Sequence, residues 1–151
     1  MTPIVSVIVF LLSIGAIDTI SQTPVGSCSK MKYESHSQVD PKTLVVSRIV
    51  GQVLDGPDSK KSLPLSSVCI AIFDERTKRQ VKVVEPDDSG NFRFRNVRDG
   101  SYRLVVKSVD GGFCVASIPV RMTTKTRKYR KIIVHMLLTP AIDRCSFGEI
   151  V

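Results

Sequence analysis

The chain has 151 residues, with 22 Lys and Arg against 14 Asp and Glu, four cysteines, two histidines and no tryptophan, for a formal charge of +8. That length supports one domain around a single core. The two histidines, His36 and His135, stand far apart and no two cysteines are close, which excludes the clustered ligand spacing of a zinc site.

The run from Ile4 to Ile17 is apolar but for Ser6, Ser13 and Gly15, and the small residues Thr19 and Ser21 follow it. It is too short to span a bilayer comfortably, so residues 1–21 read as a signal peptide. The protein is then secreted or periplasmic and touches a membrane only through that segment. No Lys or Arg precedes the apolar run, so an uncleaved anchor is one alternative. Val25-Gly26-Ser27-Cys28 faintly resembles a lipoprotein cleavage box, which makes a lipidated Cys28 another. All four cysteines, Cys28, Cys69, Cys114 and Cys145, lie beyond residue 21. An even number in an exported chain reads as two disulfides, with three possible connectivities.

Residues 22–46 are polar, carry Pro24 and Pro41 and show no sustained periodicity, which reads as an extended N-terminal arm. From Ser47 the pattern is strand after strand. "SRIVGQVLD" ends in the turn signal Asp55-Gly56-Pro57. Val68 to Phe73 is apolar on both faces, as in a central strand covered on both sides. "QVKVVE" puts Val81 and Val83 on one face. "NFRFRNV" alternates strictly, Phe92 and Phe94 inward and Arg93 and Arg95 outward; "SYRLVVKS" repeats the rule with Tyr102, Leu104 and Val106 inward and Arg103 and Lys107 outward. "FCVASIPVRM" and "KIIVHMLL" complete the series. Gly90 and Gly100 are expected to need a positive φ. Pro119 has no ladder donor, so its strand lies at an edge or its nitrogen points away from a neighbour.

Seven short strands separated by turn signals predict an all-β fold, a seven-stranded antiparallel Greek-key sandwich over residues 47–138, with a C-terminal tail at 139–151. "IVGQVLD", "LPLSSVCIAIFD" and the hairpin "DDSGNFRFRNVRDGSYRLVV" together resemble the prealbumin-like domains called carboxypeptidase regulatory-like. The resemblance implies a prealbumin-like sandwich and a non-catalytic accessory module. The related transthyretin-like hydrolases need several His and Arg in a channel and a C-terminal Tyr-Arg-Gly-Ser; this chain ends "CSFGEIV", so that activity is not expected.

No catalytic residue, cofactor or metal ligand is assigned. Glu85, Asp87, Asp88 and Asn91 surround Gly90, but the loop lacks the length and closing Glu of an EF-hand and reads as a solvated turn. His135 falls opposite Ile132, Val134 and Met136 in its strand and reads as a surface histidine. The cations carry more. Arg93, Arg95, Arg103 and Lys107 share outward positions, and Lys125, Arg127, Lys128, Arg130 and Lys131 form a basic run. They outline a surface for an anionic envelope polymer or an acidic partner protein. The rival reading is that they only guard edge strands against aggregation. Nucleic acid is not expected, because no aromatic platform is interleaved with the charges. A transthyretin-like carrier of a small ligand is the alternative function. For the cysteines, Cys28 in the arm and Cys145 in the tail are expected to clip the two ends, and Cys69 and Cys114 to join strands across the core.

Overall fold

In a computed structural model of the chain, residues 28–35, 42–126, 129–138 and 146–151 are described. The expected signal peptide (1–21), His36, Arg127, Lys128 and Cys145 lie outside them. The strands are β1 (Leu44–Val46), β2 (Val50–Asp55), β3 (Val68–Asp74), β4 (Gln80–Val84), β5 (Asn91–Arg93), β6 (Gly100–Ser108), β7 (Ala116–Met122), β8 (Ile132–Met136) and β9 (Phe147–Ile150). They form two sheets in a sandwich-like arrangement, one ordered β1-β7-β6-β3-β4 and the other β5-β2-β8-β9. The fold is all-β, as expected, but with nine strands among the described residues instead of seven. Neither sheet is purely antiparallel, because β1 runs parallel to β7 and β2 parallel to β8. The two extra strands, β1 and β9, come from the segments read as arm and tail.

The interior follows from alternation. Val68, Ile70 and Ile72 of β3, with Tyr102, Leu104 and Val106 of β6 and Ile118 and Val120 of β7, face Val53, Phe92, Phe94, Ile132, Val134 and Met136 from the other sheet. At about 25 cal/mol per Å² of apolar surface removed from water, burial of this kind dominates the favourable side of folding. Tyr102 keeps its polar tip satisfied by donating to Arg98 O at 2.9 Å. Pro119 lies in an inner strand, yet breaks no ladder. Thr123 N donates to Val46 O, and the same parity points the Pro119 nitrogen towards β1, one residue before the pairing that starts at Leu44↔Val120.

Two glycines have distinct reasons. Gly90 has φ +71°, as expected, whereas Gly100 simply begins β6 and Asn96 takes the positive φ (55°) in that connection. Gly51 is required by close approach: a Cβ there would lie 2.2 Å from Ile132 O and 2.5 Å from the Phe92 ring folded over it. The Gly-x-Val pattern of the strand thus marks where β2 has an aromatic ring on its inner face.

The outer face of the β3 sheet is also closed. Ala71, Phe73 and Val105 are buried there beneath Met31 and Tyr33 of the arm. Phe73 meets the Tyr33 ring edge-on at 5.8 Å. Cys69 shares that outer face and bonds to Cys28, with Cα atoms 5.3 Å apart. Neither expected pair, Cys28–Cys145 nor Cys69–Cys114, therefore forms. The alternation of Cys69 with Ala71 and Phe73 was read correctly, but that face looks towards the arm and not into the sandwich. Cys114 also lies outside the strands, before β7, its N–H donating to Leu137 O at 2.8 Å. Closing 41 residues of sequence separation contributes about 4 kcal/mol in the chain-entropy view.

Gly51→Ala is expected to lower stability by about 1–3 kcal/mol, because the carbonyl it would strike belongs to the paired strand; chemical denaturation should show a lower midpoint with an unchanged slope. A second expectation concerns thiols. The Ser146 hydroxyl donates to Cys114 O at 2.7 Å, which brings the residue next to Cys145 against Cys114. Non-reducing peptide mapping should therefore link Cys28 to Cys69 and Cys114 to Cys145. Recovery of either arm-to-tail or cross-core peptides would contradict this.

Candidate anion-binding surface

The structure divides the outward cations into separate groups. Arg103 faces outward as alternation requires, but it is not a surface residue. Its Nη2 and Nε donate to Glu75 Oε1 and Oε2 at 2.8 and 3.2 Å, and its side chain is only 13% exposed. Glu75 also accepts from Tyr33 OH at 3.0 Å and Lys78 Nζ at 3.2 Å. Lys78 donates to Tyr33 OH at 2.7 Å and sits 4.5 Å from the centre of its ring. The Arg103 guanidinium is the main reason the Glu75 carboxyl is held at about 2, far below its ordinary value. The cluster neutralises Arg103 and clasps the arm onto the sheet. Lys107 and Lys125 remain exposed, Lys107 on this same sheet and Lys125 in the connection between β7 and β8. Arg130 is half-buried.

His135 likewise departs from expectation. It does face away from Ile132, Val134 and Met136, yet it is fully buried. The β9 strand and the loop after β2 cover it. Its Nδ1 donates to Gly56 O at 2.7 Å, Nε2 lies 3.0 Å from Glu149 Oε1, and its ring stacks on Phe147 at 4.7 Å. This is a packed, hydrogen-bonded histidine fastening the C-terminal strand. A serine or other nucleophile is absent from the contacts described for it.

The remaining cations meet along β5. Its residues pair with β2 as Val50↔Arg93, Gly51↔Phe92 and Gln52↔Asn91, and Phe94 N donates to Ile49 O at 2.9 Å, which carries the register one step further. Arg48 lies in the bend just before β2, and Arg95 just beyond β5. A groove of about 600 Å³ runs over Val50, Arg93, Arg95, Tyr129 and Lys131 and is also lined by Glu85 and Asp87. A second of about 300 Å³ continues past Arg48, Phe94 and Asn96 and shares Val50, Arg93 and Arg95 with the first. Val50, 5% exposed, forms an apolar floor. Tyr129 stands 60% exposed beside it. The ion pairs among the described residues engage Lys61, Lys78, Arg103 and His135. Arg48, Arg93, Arg95 and Lys131 have none; Lys131 Nζ donates to the neutral Asn91 Oδ1 at 3.2 Å.

The acidic turn before β5 is held mainly by its own backbone, with a weaker attraction from Lys131. Asp87 accepts from Asn91 N at 2.8 Å and Ser89 N at 3.0 Å, and these bonds, led by that of Asn91, hold its carboxyl below the ordinary range. It shapes the turn that launches β5, and among the described residues no cluster of metal-ligating side chains accompanies it. Arg48 and Tyr129 were not singled out from sequence. Arg48 is brought in only by the fold, as a lining residue of the groove it shares with Arg93 and Arg95, and Tyr129 is the ring inside an otherwise basic run. No family model matches the chain, and no curated protein matches it.

The Glu75 cluster sets an acid-side dependence. A carboxyl whose folded value is depressed contributes stability that is full above its unfolded value of 4.5 and is lost as pH falls through about 2. Native stability is thus expected to decline between those limits, and Glu75→Gln should flatten that part of the curve. Thermal unfolding of both proteins across the window measures it.

Proposed function

We propose that this protein is an exported, non-catalytic β-sandwich module, of the carboxypeptidase regulatory-like type, that binds an anionic partner along β5. The Cys28–Cys69 disulfide supports an oxidising compartment. The observation that carries the binding surface is the gathering of Arg48, Arg93 and Arg95 around one groove, none of them in an ion pair among the described residues. Like charges held close together repel one another. An uncompensated arrangement of this kind favours a partner that brings the missing negative charge.

Guarding an edge does not by itself account for the cluster. The neighbouring edge strand β4 is already guarded by Lys82, which sits on its inner face and donates to Arg95 O. The Arg93 group adds an apolar floor and an exposed ring, which edge protection does not require. The carrier reading finds no comparable support, since the sandwich interior is filled by Ile49, Ile70, Ile72, Leu104, Ile118, Ile132 and Met136.

Binding to two anionic probes, poly-L-glutamate and a sulfated polysaccharide, should weaken steeply with salt. Charge reversal of Arg93 and Arg95 together should weaken whichever probe binds by about tenfold or more while leaving the melting temperature near that of the parent, because both side chains face water. Salt-independent binding, or indifference to the double reversal, would remove the proposal.

A further inference from the structure

Resting on that reading, we infer that the partner is an acidic polypeptide segment in extended conformation that adds as a strand beside β5. The backbone supplies the reason. Phe94 N bonds to Ile49 O and Val53 N to Gly90 O, so the even-numbered residues of this segment turn their peptide groups to β2. Asn91, Arg93 and Arg95 turn theirs outward. The two ends of that outer edge are occupied: Asp87 N donates to Asn91 O while Asn91 N donates to Asp87 Oδ1, and Lys82 Nζ donates to Arg95 O. Between them the N–H and C=O of Arg93 meet no other group among the described residues. An incoming strand can pair with both.

Side-chain spacing points the same way. Arg93 and Arg95 are two residues apart on one face, about 7 Å, and an extended chain repeats its own side chains on one face at the same interval. A peptide with acidic residues at alternate positions therefore brings a carboxylate to each guanidinium, with the fork geometry that arginine favours. Arg48 widens the positive end. Asp87, bonded to Asn91, repels carboxylates from that end of β5, which sets the direction in which the acidic stretch lies. A second copy of this chain is a poor occupant, because β5 against β5 would bring arginines beside arginines. Main-chain pairing combined with alternating side-chain contacts is how edge strands recognise peptides.

The experiment uses the intact, oxidised protein and short synthetic peptides. One alternates Glu and Thr; a second has the same composition with its glutamates in one block. Two further versions of the first carry N-methyl groups on alternate backbone amides, one set on each edge of the strand. The alternating peptide is expected to bind at least about tenfold better than the block isomer, and one N-methyl set, not the other, to abolish binding. The Arg93 amide should gain protection from hydrogen exchange. Equal binding of alternating and block peptides, or equal effects of the two N-methyl sets, would overturn strand addition while leaving anionic recognition intact. Preference for the sulfated polysaccharide over every peptide would do the same. Failure of all probes to bind, or binding unchanged by reversal of Arg93 and Arg95, would overturn both readings.

Discussion

The central strand β3 is buried along both faces from Val68 to Phe73, and the rest of the molecule is arranged around that requirement. One face meets the second sheet. The other is covered, among the described residues, by a non-periodic arm, and an extended segment buries little apolar surface of its own. Met31 and Tyr33 cover Ala71, Phe73 and Val105. The Cys28–Cys69 bond holds the arm in place beside that small cluster, and Glu75 fixes Tyr33 from the far side of the strand end. A bond closing a long loop is well suited here, because it acts by restricting the unfolded chain and asks nothing of the limited contact area. Gln80 adds a polar seam, its amide reaching Ser29 O and its carbonyl accepting from Met31 N.

Covering that face also decides which cations remain available. The arm brings the Tyr33 hydroxyl to Glu75, and Glu75 in turn takes Arg103 and Lys78. Glu75 offsets one of their two charges, and the buried Arg103 in particular contributes little to a surface field. Arg48, Arg93 and Arg95 form no such ion pair among the described residues, although Glu85 and Asp87 line the same groove as Arg93 and Arg95. A chain carrying a formal charge of +8 therefore presents its excess unevenly, as a local concentration of potential beside an apolar floor. The same residues that alternation places in water acquire different roles according to whether an acid lies within reach.

Much of the architecture was legible because strict alternation leaves one answer. Phe92 and Phe94 inward with Arg93 and Arg95 outward, and Tyr102, Leu104 and Val106 inward, follow from a period of two. A period of two, however, says only which residues share a face. In β3 both faces are apolar, so nothing local distinguishes the interior from the arm side on which Cys69 lies. His135 failed for the same reason: its face was right, but the strand that covers it lies beyond residue 138. Strands of three and four residues, β1 and β9, are too short to show a period at all. The parallel pairing of β2 with β8 joins segments about eighty residues apart, which local pattern cannot report. Arg48 joins Arg93 and Arg95 only because β2 and β5 pair across some forty residues of sequence, and its sequence neighbours carry no sign of it.

The edge of β5 has a length that makes chemical sense of a narrow recognition window. A long open edge would template indiscriminate pairing, and the Asp87 turn and the Lys82 ammonium close it on either side of Arg93. One open residue offers two main-chain hydrogen bonds, each contributing only about 1 kcal/mol net, which cannot hold a neutral strand against the cost of ordering it. Charge must then supply the remainder, and Arg93 itself and Arg95 beyond it are placed to supply it at alternate positions of an incoming chain. On the proposed reading, discrimination arises from this division: the backbone window is too small to bind any extended segment, and the guanidinium groups too exposed to hold scattered carboxylates. Only the two together favour an acidic strand.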